Sequence, residues 1–286
     1  MTAPTLLALA AAAVWGLWWI PIRYLESLGL SGAEGGLVMN GGALLVSLVL
    51  CVVLRQGFGL SLRAVLGAAL IGVAISTYSV ALTYSDVVRV VLLFYLAPAW
   101  SKIIEWGFLH MPWRWTSSVA LIAALVGAFL VMGADFGSDA WRLGDGLAVL
   151  SGMAWAAGAA LVFTANPARP LALTVATSLC AVLISFGFAL LQGLSWPIPV
   201  SAAGLGAGVG AVFVLPILVA TLWSAQKLAP ATLSFLLTAE ILSGILSGAL
   251  LAGEPFGRLQ MAGAVLVVLG AMVEIVPSMM RPAARS

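Results

Sequence analysis

The chain has 286 residues, of which 63% are hydrophobic and only 8% charged, with a net charge of +2. An ordinary soluble domain carries roughly 25% charged residues, so this composition cannot supply a polar surface and excludes a water-soluble globule. The twelve Lys and Arg are scattered singly, which leaves no basic patch to replace counterions along a nucleic acid.

Apolar runs of about 20 residues, enough to cross a bilayer, fall approximately at 4–25, 34–54, 62–84, 87–109, 114–133, 143–164, 170–191, 203–225, 231–251 and 257–276. The runs are apolar throughout and do not alternate, which argues for helices over barrel strands. The start lacks the basic n-region of a cleaved signal peptide, so the first run is expected to be retained as a span. Polar or turn-forming residues mark the short connections: Ser31-Gly32, Arg55-Gln56-Gly57, Pro112, 135–145, Asn166-Pro167 and 196–199. The expected fold is an all-α membrane protein of ten transmembrane helices.

The halves resemble each other. Trp15-Gly16 aligns with Trp155-Ala156, Pro112-Trp113 with Pro255-Phe256, and Val126-Gly127-Ala128 with Leu269-Gly270-Ala271. This predicts one transmembrane domain built from a first repeat over 4–133 and a second over 143–276. Five spans per repeat is an odd number, so the second repeat enters the membrane from the opposite side. Such inverted repeats place a substrate site near the midplane between the halves. With a cytoplasmic N-terminus, inner segments carry Arg55, Arg63, Arg114, Arg169, Lys227, Arg281 and Arg285. The outer ones carry Arg23, Arg89, Arg142 and Arg258, mostly near the acids Glu26, Asp86, Asp139 and Glu254. The excess of inner basic residues favours both termini in the cytoplasm.

The parts of an enzyme are missing from the sequence. His110 is the only histidine, too little for a His-based triad or a zinc cluster, and no phosphate-binding GxxxxGK[ST] loop occurs. Gly206-Ala207-Gly208-Val209-Gly210-Ala211 imitates a dinucleotide fingerprint but lies within an apolar span without a preceding strand. Cys51 and Cys180 sit in apolar runs and read as small hydrophobic residues. No cofactor and no metal are expected, and the partners are membrane lipids and a small-molecule substrate.

Candidate site residues lie at mid-depth. Trp15 and its repeat mate Trp155 fall near the middles of spans one and six, although tryptophan ordinarily collects at membrane interfaces. Trp19 is one turn from Trp15, and Tyr78, Phe94 and Tyr95 add aromatic surface from spans three and four. Pro98 removes a backbone hydrogen bond near the middle of span four. These residues either line a cavity for a planar, apolar or cationic group or form a packed aromatic core. Glu240 stands near the centre of span nine, where an ionisable group costs roughly 3 kcal/mol and is a functional candidate by default. It either carries a proton, faces a substrate ammonium or serves as a hydrogen-bonded structural residue. Glu105 has Lys102 three residues before it, positioned for an ion pair. Asn40, Ser79, Ser151 and Thr238 are further polar candidates, and the glycines of spans eight and nine serve either helix packing or bending.

Through Trp15-Gly16, Glu240, Ala252-Gly253-Glu254, Gly263 and Gly270, the chain resembles the ten-helix EamA-type members of the drug/metabolite transporter superfamily along nearly its whole length. Phe94-Tyr95-Leu96-Ala97-Pro98, with Tyr78 upstream, is similar to the matching stretch of YddG-type amino-acid exporters. The first half departs from the family pattern: Met111 stands where a loop glutamate is expected, and Ala97 lies opposite Glu240. Small four-helix multidrug relatives use a glutamate in helix one, whereas residues 1–25 contain no acid. The resemblance implies an inner-membrane exporter of amino acids, aromatic or other neutral ones, working by alternating access. The same build also suits other small metabolites or drugs, because a few cavity residues set the substrate.

Overall fold

The computed structural model describes residues 3–131, 141–194, 197–237, 239–251 and 257–279. Its helices in chain order are α1 (Ala3–Trp15), α2 (Trp19–Ser27), α3 (Gly32–Val53), α4 (Leu62–Tyr84), α5 (Val87–Phe94), α6 (Ala97–Gly107), α7 (Trp115–Val131), α8 (Leu143–Thr164), α9 (Pro170–Leu191), α10 (Val200–Val209), α11 (Leu215–Ala225), α12 (Pro230–Leu236), α13 (Ala239–Leu251) and α14 (Arg258–Met279). A π-helical segment, Gly210–Val214, joins α10 to α11. Among the described residues there is no strand.

These helices form ten rods that coincide with the ten expected spans. Six are single helices. The first (α1–α2), fourth (α5–α6), eighth (α10–α11) and ninth (α12–α13) are interrupted. Seven rods are long and apolar enough to cross a membrane, and shorter apolar stretches run over Trp115–Gly127 and Met261–Gly270. The ninth rod is divided by its own break into two short pieces. Asp139, Thr238, Ala252-Gly253-Glu254, Pro255-Phe256, Arg281 and Arg285, named from sequence, lie outside the described residues.

Local chemistry explains where the rods begin. Ser31 caps α3 through its hydroxyl on the Glu34 amide, and the Glu34 carboxylate accepts the Ser31 amide, a reciprocal pair that satisfies two orphan donors. Pro98 and Pro170 occupy the first turn of a helix, where a missing N–H costs nothing, and Pro216 follows directly on the π-helical turn. Pro98 therefore does not kink a continuous span. The fourth rod breaks at Tyr95–Leu96 and restarts, with Pro98 in the new first turn.

The third rod packs along the sixth and seventh, and the second along the seventh and eighth. The fifth pairs with the tenth, the first meets the eighth and ninth, and the fourth meets the sixth and ninth. Buried hydroxyls tie several of these contacts. Ser76 donates to the Ala181 carbonyl and accepts from Ser185, joining rods three and seven, while Ser151 donates to the Ala74 carbonyl, joining rods six and three. Within a bilayer no water satisfies such groups, and these three find a carbonyl or a second hydroxyl. Cys51 and Cys180 are unpaired.

Candidate functional site

Where the interrupted rods meet the third and sixth, a cavity opens in the interior. Its walls are Trp15 and Trp18 from rod one, Ala74, Ile75 and Tyr78 from rod three, Phe94 from rod four, Ser151 and Trp155 from rod six, and Leu237 and Glu240 from rod nine. None of these residues is more than 8% exposed, so the wall is deeply buried.

Five aromatic rings form most of the wall. Phe94 is their hub, with ring centroids 5.3 Å from Tyr78, 5.4 Å from Tyr95 and 6.3 Å from Trp155, all near edge-to-face. Trp15 and Trp18 face each other at 5.0 Å. Edge-to-face arrangements set a positive ring edge against a negative face, and they hold the rings where a flexible apolar wall would collapse. The indole N–H groups fix the first rod from three sides. Trp15 donates to the Thr221 hydroxyl of rod eight, Trp18 to Ser79 of rod three, and Trp19 to Ser247 of rod nine, at 3.1, 3.1 and 2.9 Å.

Glu240 is the only acid on the cavity wall. It lies in the first turn of α13, just after the break in rod nine, and is 6% exposed. No ion pair engages it among the described residues. Beside it the Tyr95 hydroxyl donates to the Leu237 carbonyl at 2.6 Å, a carbonyl that also accepts the Glu240 amide. The close approach of rod one fixes the position of this carboxylate. A Cβ at Gly16 would stand 2.0 Å from the Ser243 hydroxyl, 2.5 Å from the Glu240 carbonyl oxygen and 2.7 Å from the Gly244 amide. Two of these atoms are backbone and cannot swing aside. Gly16→Ala is thus expected to destabilise the protein by about 1–3 kcal/mol, as overpacking does, read as a lower melting temperature in detergent.

Of the residues named from sequence, Trp15, Tyr78, Phe94, Trp155 and Glu240 come together on one cavity. Tyr95 stands behind Phe94 and reaches the site through its hydroxyl. Trp19 and Pro98 are buried but off the wall, the first turned to Ser247 and the second inside the first turn of α6. Ser151 lines the cavity, Ser79 supports it through Trp18, and Asn40 donates to the Gly36 carbonyl within its own helix. Sequence reasoning missed Trp18. Its signal was present, since residue 18 follows Trp15 by three and so shares its face of a helix.

Away from the cavity, ionic groups cluster at two levels. Asp145, at the start of α8, accepts hydrogen bonds from Arg89 of α5, from the Ser85 hydroxyl and from the Arg142 amide. Arg142 in turn meets Asp86 at 2.7 Å. At the other end of rod four, Lys102 pairs with Glu105 at 3.2 Å, and the second Glu105 oxygen accepts the Ala231 amide in the first turn of α12.

Residues 3–133 match the EamA-like transporter family. A crystal structure of a protein 15% identical in sequence superposes with a TM-score of 0.68, covering 98% of this chain and 99% of its own. At that identity the likeness speaks for the fold alone. A search among curated proteins gave no match.

Proposed function

We propose that the chain, whose residues 3–133 match the EamA-like transporter family, is a multi-pass membrane transporter of the drug/metabolite transporter superfamily that exports amino acids and related amines of aromatic or apolar character. The observation that carries this reading is the buried aromatic cavity bearing one carboxylate. Rings recognise a planar or apolar body, and an ammonium is attracted both to ring faces and to Glu240. The transporter sits in the inner membrane with both termini cytoplasmic, a reading supported by the basic residues of the inner connections. Its site alternates between the two sides, and the interrupted rods around the cavity supply the joints for that motion. The two halves, 4–133 and 143–276, act as inverted repeats. Their packing supports this, because exchanging each rod for the one five places away turns the contact of rods three and six into that of eight and one. The same exchange turns four and six into nine and one, and three and seven into eight and two.

The test is uptake by liposomes containing the purified protein, using labelled tryptophan, phenylalanine and phenylalanine amide. At least one is expected to enter faster than into protein-free liposomes and to exchange with unlabelled compound inside. Entry of all three at the protein-free rate would overturn the reading. Trp155→Ala is expected to weaken the transported compound several-fold while folded yield holds, since a lost ring contact is worth about 0.5–1.5 kcal/mol beyond its buried area. An unchanged half-saturation concentration would assign Trp155 to packing.

A further inference from the structure

The charges that surround the cavity narrow its substrate class, on the premise that the transporter reading holds. An amino acid presents two charged groups, an ammonium and a carboxylate, and a buried carboxylate needs a cation or a set of free N–H donors. Within the described rods no cation is available for it. Arg89 and Lys102 are both bonded to carboxylates, of Asp145 and Glu105. Arg55, Arg63, Arg142, Arg169, Lys227 and Arg258 are exposed at the ends of rods, Arg114 stands half-buried just before α7 and off the cavity wall, and Arg23 is paired with Glu26. Residues 230–257, which hold the carboxylate of the site, contain no Lys, Arg or His at all.

Backbone donors do not fill the gap. A helix start inside a broken rod is the usual place for a substrate carboxylate, because its N–H groups and dipole favour negative charge. Three such starts lie near this cavity. That of α2 follows Trp18, and there the Ile20 amide already donates to the Leu17 carbonyl and Pro21 has no N–H. That of α13 carries Glu240 in its first turn, and the Glu240 amide already donates to the Leu237 carbonyl. That of α6 is pressed against rod six, where a Cβ at Gly152 would stand 2.6 Å from the Phe94 carbonyl and 3.5 Å from the Ala97 amide. The protein's own carboxylate thus occupies the favourable place, and a second one beside it would meet only repulsion.

We infer that the cavity selects monocations: compounds with an aromatic or apolar body and one ammonium group, whose carboxylate is absent or masked as an amide or ester. Glu240 neutralises the ammonium, Tyr78, Phe94 and the paired tryptophans enclose the body, and nothing is left to neutralise an anion.

Calorimetric titration of the purified protein with phenylalanine amide, phenethylamine, phenylalanine and 3-phenylpropionate tests this without interference from passive leakage of amines across lipid. The amide and the amine are each expected to bind at least roughly tenfold more tightly than phenylalanine, the scale of a like-charge penalty inside a closed site, and 3-phenylpropionate is expected not to bind. A preference below tenfold, or binding of the propionate, overturns the inference and leaves the transporter reading intact. Failure of all four to bind, together with failure of liposome uptake, overturns both.

Discussion

Asp145→Ala is expected to be among the most destabilising single changes in the protein, lowering the free energy of unfolding by about 3 kcal/mol or more, the usual scale when one partner of a buried ion pair is removed. Its side chain is fully buried and that of Arg89 is 15% exposed, so the guanidinium left behind stays largely out of water. The same change releases the Ser85 hydroxyl and the Arg142 amide. Thermal unfolding in detergent reads the effect. Arg89→Met combined with Asp145→Leu separates charge from shape. A hydrophobic pair of similar volume is often neutral relative to a buried ion pair, so the double variant should recover part of the loss but not the cap on α8. A single Asp145→Ala variant that melts with the wild type would show that water reaches Arg89 freely.

The second large effect belongs to Glu240. Glu240→Gln keeps the shape of the side chain and removes its charge, so the folded yield should hold and uptake of cationic amines should fall to roughly a tenth or less, each factor of ten being 1.4 kcal/mol of lost attraction. The preference for phenylalanine amide over phenylalanine should vanish in the same variant. A carboxylate that serves only the fold predicts the opposite pattern, with full transport in every folded molecule. A carboxylate that carries a proton predicts a third, in which amine binding survives and the response to an imposed proton gradient is lost. Uptake and calorimetry on the one variant distinguish all three.

The positions of the rods were legible in the sequence because hydropathy acts over a whole span and tolerates local irregularity. The breaks were legible only in part. Pro98 announced an interruption, but a proline marks the restart of a helix as readily as a kink within one. The break lies two residues before Pro98, at Tyr95–Leu96, and in rod nine it comes with no proline beside it. Of the site, Trp15, Trp155 and Glu240 were legible because tryptophan and glutamate are out of place at mid-depth. Trp19 shows the limit of that reasoning. Trp18 and Trp19 are neighbours in sequence, yet the turn after α1 directs one to the cavity and the other to Ser247. Ser79 was named as a possible cavity group, but it acts one layer back by accepting the Trp18 indole.

Rods four and nine are joined by three bonds in register: the Tyr95 hydroxyl to the Leu237 carbonyl beside the cavity, Ser101 to Ser234, and the Ala231 amide to Glu105 at the far end. Each belongs to a different turn, so the seam can unfasten like a zip. Individual hydrogen bonds contribute about 0.5–1.5 kcal/mol, and parting the rods from the Glu105 end meets them one after another. The costs add as successive bonds part, so a fluctuation that frees only the outermost contact is far commoner than one that frees all three, and the two inner bonds hold the rods together while the end frays.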